Sequence, residues 1–185
     1  QLTEENFPTI FLANTYEFYW NCSAEQFYEK ILKEYQKFWT NDRLQKAKLA
    51  GLSPTEVSAL ASIVEQETRK VDEKPTVAGV YINRLRKGWK LEADPTLVYA
   101  LGDFTVRRVL NEYKEIDSPY NTYMYTGLPP GPICMPSVSS IDAVLNYKQH
   151  AYTIPRGASE DLEKDKLKFR DYYPIGERLV YAAWT

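Results

Sequence analysis

A chain of 185 residues and 21.5 kDa can enclose one substantial hydrophobic core, or one core with a small appendage. Apolar residues at 44% and charged residues at 26% exclude a disordered chain. The 23 basic and 25 acidic residues nearly cancel, and no basic block marks a nucleic-acid surface.

Residues 8–20 read I-F-L-A-N-T-Y-E-F-Y-W in their aromatic part. The imperfect alternation predicts one strand or a bent pair, with Asn14, Thr15 and Tyr16 as a turn. Ser23 followed by Gln26 is a capping box, opening a helix to Trp39 with Phe27, Ile31, Tyr35 and Phe38 as its apolar stripe. Asn41 or Asp42 starts a short polar helix that Gly51 ends.

Ser53, Pro54 and Glu56 form a second capping box, with the proline where its missing N–H costs nothing. The helix expected over residues 54–68 buries Val57, Leu60, Ala61 and Val64. Glu65 and Glu67 close this run. A helical wheel puts one on each border of the apolar face, so periodicity does not choose between them. Residues two apart do not face each other, so they are not a catalytic pair.

Asp72 is placed to cap the next helix, residues 75–87, which buries Val77, Val80, Tyr81 and Leu85 and ends at Gly88. Asn83 and Arg84 lie near its end, where an arginine is most often a surface ion-pair partner. Glu92 precedes Asp94-Pro95-Thr96, and Asp94 is the expected cap of a helix over residues 96–101. A further short helix is expected over residues 105–110. Asp117 to Tyr123 reads as a turn and a short extended piece. Gly127-Leu128-Pro129-Pro130-Gly131-Pro132-Ile133 holds too many breakers for a regular element. A last helix covers residues 139–146 with Ser139 as cap, and residues 179–183 offer an edge strand. The elements add up to an α+β fold, a mixed helical and short-strand domain with helices packed around aromatic strands.

The 15 tyrosines and four tryptophans suit sugar sites, although most must fill the core. Cys22 and Cys134 do not make a disulfide framework. His150 is the only histidine and has no cysteines near it, so no metal site is expected. No run reaches the length of a transmembrane helix.

The strings LASIVEQET, VAGVYINRLRKGWKLEADPT, DSPYNTY and GLPPGPI occur in this order. Together they resemble the catalytic domain of the endolytic murein transglycosylases of the YceG-like family. The resemblance runs from Phe11 to Tyr147 and includes the early F-L-A-N-T-Y-E-F. It implies cleavage of nascent peptidoglycan glycan strands on the outer face of the cytoplasmic membrane, in the bacterial envelope. It puts the catalytic glutamate at the close of A-S-I-V-E, on Glu65, with Glu67 in support. Asn83, Arg84, Glu92, Asp94, Thr96, Tyr120, Asn121, Tyr123, Leu128, Pro130 and Gly131 become candidate supporting or substrate-binding residues of a glycan-binding cleft. Asn121 offers an amide, the tyrosines offer flat faces and hydroxyls, and Gly131 permits close approach of backbone to a ligand.

The implied reaction breaks the β-1,4 bond between N-acetylmuramic acid and N-acetylglucosamine and leaves a 1,6-anhydro end. Glu65, kept protonated by a partly apolar setting, protonates the leaving oxygen and then takes the proton of the attacking C6 hydroxyl. No metal or organic cofactor is required. The partners that the resemblance implies are glycan strands and cell-wall synthases, without nucleic acid. Two alternatives stay open. One is a muramidase-type hydrolase with Glu92 or Asp94 as second carboxylate. The other is a non-catalytic peptidoglycan-binding scaffold.

The chain departs from the family in two places. Glu92 stands where the family more typically has glutamine, and this extra carboxylate would raise the proton affinity of Glu65 if close. Beyond Tyr147 the resemblance fades. Residues 1–150 therefore read as the catalytic domain, and 151–185 as a divergent or incomplete C-terminal portion of it. Family members also carry an N-terminal membrane helix and a small domain similar to LysM. The anchor is accordingly expected in a segment preceding Gln1.

Overall fold

Ser23 and Ser53 each close the predicted capping box, and each is followed by the helix it was expected to start. In a computed structural model, residues 3–106 and 109–149 are described. The helices are α1 (Ala24–Phe38), α2 (Asn41–Ala50), α3 (Pro54–Glu67), α4 (Lys74–Arg86), α5 (Asp94–Leu101) and α6 (Val138–Leu145). Two 3-10 helices, Phe7–Ile10 and Asn111–Glu115, complete the regular structure among the described residues. The left-handed backbone that ends α2 falls on Gly51, with φ of 80°, where a side chain would be strained.

The expected α+β class, a mixed helical and short-strand domain with a glycan-binding cleft, is overturned. No strand occurs among the described residues. The aromatic segment begins with the 3-10 helix Phe7–Ile10, whose capping Phe11 N–H bonds Pro8 locally. Beyond it, the Tyr16 hydroxyl bonds both the N–H and the carbonyl of Leu12, closing a local turn around Asn14 and Thr15. Backbone groups satisfied locally are not offered to a neighbouring strand. The side chains of this segment pack as rings instead. Phe11 and Phe18 lie against Phe27 of α1, and Phe7 stacks on Tyr28. Of the predicted α1 stripe, Ile31 is buried and Tyr35 and Phe38 pack against the core, while Phe27 stays partly exposed beside Phe11 and Phe18.

α3 occupies the centre. Every residue from Val57 to Val64 is buried, so this helix is enclosed all round rather than along one stripe. α4 and α6 cover it, and α2, α5 and the first 3-10 helix flank it. Leu60, Ile63 and Val64 share the core with Val77, Tyr81, Ile82, Ile141 and Val144. Burial of so many aliphatic side chains, at roughly 1.5–3 kcal/mol each, fixes the direction in which the last turn of α3 points.

Several caps differ from expectation by one or two residues. Glu73, not Asp72, precedes α4, and it makes no side-chain cap. Ala93 takes the N-cap of α5, which leaves Asp94 as its first residue. Ser137, not Ser139, caps α6 by accepting from the Ser140 N–H. Of residues 105–110, those described form no helix, and Asn111–Glu115 turns instead. Cys22 and Cys134 are free thiols. No described helix is long and apolar enough to cross a membrane. His150, the strand expected over 179–183 and the region 151–185 lie outside the described residues.

Candidate functional site

Glu65 leaves the last turn of α3 and meets the start of α6. Its Oε2 accepts from the Ser137 N–H at 3.1 Å, the Ser137 hydroxyl at 2.5 Å and the Ser140 hydroxyl at 2.6 Å. The Lys74 ammonium, from the first turn of α4, lies 3.1 Å from the same oxygen. Lys74 is itself buried, and its other contacts are the hydroxyls of Ser137 at 3.4 Å and Ser139 at 3.3 Å. All of these bonds fall on Oε2. Oε1 accepts none of them and keeps contact with solvent, the side chain being 27% exposed.

Charge and geometry agree at this corner. Partial burial raises the proton affinity of Glu65, but the donors of Ser137, Ser140 and Lys74 together outweigh it and lower the pKa to about 2. The sequence reading expected a carboxyl kept protonated by an apolar setting. The structure reverses this for the sugar-free protein, because that reading had no view of the donors arriving from α4 and α6. Glu92 does not act on Glu65 in the way considered. Its carboxylate is directed at Arg84, 3.8 Å away.

Glu67, two residues on, turns to a different neighbour. It accepts from the hydroxyl of buried Tyr81 at 2.7 Å. The two glutamates thus take different partners, Glu65 the serines of α6 and its cap with Lys74 of α4, and Glu67 the Tyr81 hydroxyl further along α4. Asn83 is half-buried in the last turn of α4, beside Arg84. Arg84 is buried, and its guanidinium donates to the carbonyl of Leu91. It is an interior clamp on the segment leading to α5, not a surface ion-pair partner.

The E-A-D-P-T and Y-N-T-Y strings come together as one joined unit. The Glu92 N–H bonds the Thr122 carbonyl at 3.0 Å, and the Ala93 N–H bonds the Thr122 hydroxyl at 3.0 Å. Thr96 and Thr122 share a hydroxyl bond of 2.8 Å, and the Tyr123 hydroxyl donates to Asp94. Asn121 is fully buried. Its amide donates to the carbonyls of Lys114 and Ile116, and its oxygen accepts from the N–H groups of Tyr123 and Met124. The amide expected to meet a sugar is occupied by the chain's own backbone. Glu92 holds the left-handed φ of 51°, unusual for a residue with a side chain, at the point where this unit begins.

In the proline-rich loop, Leu128 is half-buried against the core and Pro130 is exposed. Tyr120 rests on Tyr99, with ring centroids 4.6 Å apart, and burial with that neighbour raises its hydroxyl pKa to about 12. Gly131 does meet a closely approaching backbone, but the backbone is that of Glu5. A Cβ on Gly131 would stand 2.0 Å from the Glu5 carbonyl oxygen. The loop then reaches α3, where the Ile133 N–H bonds the Ser62 hydroxyl at 3.0 Å, and it delivers Ser137 to Glu65. None of the hydrogen bonds of Glu65 reaches Asn121, Tyr120, Asp94 or Thr96.

Sequence reasoning missed Lys74, Ser137 and Ser140. One signal was available: S-V-S-S at the mouth of a helix supplies hydroxyls and N–H groups suited to an anion. Lys74 gave none, because its partners lie in segments remote in the chain.

The sequence profile of the YceG-like family matches residues 2–154. Over 87 residues the chain is 46% identical to the endolytic murein transglycosylase of Bacillus subtilis strain 168, covering 47% of this chain and 24% of that protein. The endolytic murein transglycosylase of Streptococcus pneumoniae strain D39 is 36% identical over 103 residues, 54% of this chain and 19% of its own length. The crystal structure of a yceG-like protein from Listeria monocytogenes aligns with a TM-score of 0.65 at 30% identity. That alignment covers 82% of this chain and 51% of the Listeria chain. The matched stretch is thus a quarter or less of each curated relative's length.

Proposed function

Because the chain belongs to the YceG-like family, we propose that it is the catalytic part of an endolytic murein transglycosylase, acting within peptidoglycan glycan strands at the outer face of the cytoplasmic membrane. The similarity to the Bacillus and Streptococcus proteins of that name supports the reaction class. The observation that carries the assignment of Glu65 is its one-sided anchoring, with Oε2 held by donors and Oε1 left to solvent. A carboxylate fixed by one oxygen presents the other in a constant direction, which is what proton exchange with a bound sugar needs.

The bond cut is the β-1,4 link between N-acetylmuramic acid and N-acetylglucosamine. Protonated Glu65 gives its proton to the leaving C4 oxygen of the glucosamine as the bond to C1 of the muramic acid breaks. The C6 hydroxyl of that muramic acid attacks C1, and its proton passes to Glu65. No water is consumed, and the product carries a 1,6-anhydro ring. The ionised resting form suits the second proton transfer directly. For the first, a glycan lying over Oε1 removes water and raises the proton affinity of the carboxyl.

Purified glycan strands incubated with the chain test this by mass spectrometry of the new ends. Anhydro ends are expected. Reducing ends would replace the reading with hydrolysis, and unchanged strands with a folded protein would favour a scaffold.

A further inference from the structure

Glu65 and Lys74 each sit where their own helix disfavours them. Glu65 lies in the last turn of α3, which holds no basic residue, at the negative end of the helix dipole. Lys74 opens α4, at the positive end of its dipole, and α4 has no acidic residue in its first turn. Lys74 is also only 4% exposed at its side chain, so its ammonium has lost most of its water. A buried lysine at the wrong end of a helix is costly on local grounds. What it gains is position: its ammonium reaches Glu65 Oε2 and the Ser137 and Ser139 hydroxyls.

We propose that Lys74 is a positioning residue for the transglycosylase reaction, anchoring Glu65 Oε2 together with Ser137 and Ser140 so that Oε1 alone exchanges protons with the glycan. This rests on the reading of Glu65 given above. The groups that face Glu65 from each packed element are few. α4 supplies Lys74, and α6 with its cap supplies the neutral hydroxyls of Ser137 and Ser140. The intervening loop supplies the thiol of Cys134, whose pKa burial raises, with Glu65 adding to the rise and Lys74 opposing it. On α3 itself, Glu67 is turned to Tyr81. Lys74 is therefore the cation that faces this carboxylate among the described residues. Its charge favours the ionised form and holds Oε2, and the serine hydroxyls complete the acceptor's shell.

The experiment uses the full chain labelled with 13C at its glutamate carboxyls, the Glu65 signal being identified by its loss in Glu65→Gln. Titration is followed in the unmodified protein and in Lys74→Met, Lys74→Arg and Ser140→Ala. The expected midpoint is about 2 in the unmodified protein. It should move upward by about one pH unit or more in Lys74→Met, return close to the original in Lys74→Arg, and move less in Ser140→Ala. On glycan strands, Lys74→Met should lower kcat by roughly ten-fold or more, leave KM within about two-fold, and move the alkaline limb of kcat upward in pH. A merely structural lysine would reduce the active fraction without moving that limb.

If Lys74→Met does not fold, Ser140→Ala and Lys74→Arg carry the comparison, a rise in the first alone supporting the anchor. An unchanged midpoint in every folded donor variant overturns it, even where the unmodified chain cuts strands through Glu65. A raised midpoint in a chain that cuts no strands leaves the anchor standing and removes the transglycosylase reading.

Discussion

Two regions that share the same kind of sequence signal behave differently. Around Glu65, donors from α4, α6 and the α6 cap converge on one oxygen and leave the other open. At Asn121, the side-chain amide turns inward and both its nitrogen and its oxygen are satisfied by the chain's own backbone. Both regions carry the strings by which the chain resembles its family. One holds a carboxylate by a single oxygen and the other holds two loops in register, so a recognisable string does not by itself mark contact with substrate.

The largest effect on stability is expected where the joined unit is broken. Asn121→Ala removes the partner of two carbonyls and two N–H groups in a buried place, and should cost about 2–4 kcal/mol in denaturant unfolding. A loss below about 1 kcal/mol would mean that water takes over these bonds, and the contrast with Glu65 would weaken. Gly131→Ala comes next. Its new Cβ would stand 2.0 Å from the Glu5 carbonyl oxygen, so the segment around Glu5 must move. A cost of about 1–3 kcal/mol is expected, together with faster amide exchange in residues 3–9.

The acid side sharpens the comparison through Glu65. Its pKa in the folded protein, about 2, lies below the ordinary 4.5, so its bonds stabilise the fold above about pH 4.5 and cease to do so as pH falls towards 2. Thermal unfolding should find Glu65→Gln less stable than the unmodified chain near neutrality. The difference should close as pH falls through that window. A gap that stays constant down to pH 2 would contradict the ionised anchor. The smallest effect is expected at Glu92. Its contact with Arg84 is long, at 3.8 Å, and Arg84 also holds the Leu91 carbonyl, so Glu92→Gln should change stability by less than about 1 kcal/mol.

What could be read in advance follows the range of the forces involved. Capping boxes at Ser23 and Ser53 and the glycine stop at Gly51 are local chemistry, and they placed helix ends to within a residue. The identity of α3 as the central helix was hidden, because Ser58, Ser62 and the alanines read as a polar or neutral face until neighbours enclosed them. The aromatic run read as strand because its composition suits one, yet pairing needs a second strand, which no local pattern guarantees. At the site, the resemblance singled out Glu65 and periodicity could not. Lys74 and Ser140 reach it from 9 and 75 positions away in the chain, a distance over which no sequence pattern carries.

The central claim is that Glu65, and not Glu67, exchanges the proton with the glycan. Digestion of purified strands by the unmodified chain, Glu65→Gln and Glu67→Gln, with circular dichroism as the folding control, tests it most directly. The account predicts new 1,6-anhydro ends from the unmodified chain, a loss on the order of 100-fold or more in folded Glu65→Gln, and at most a few-fold loss in Glu67→Gln. Persisting anhydro ends from folded Glu65→Gln beside an inactive, folded Glu67→Gln would contradict it and move the role to Glu67.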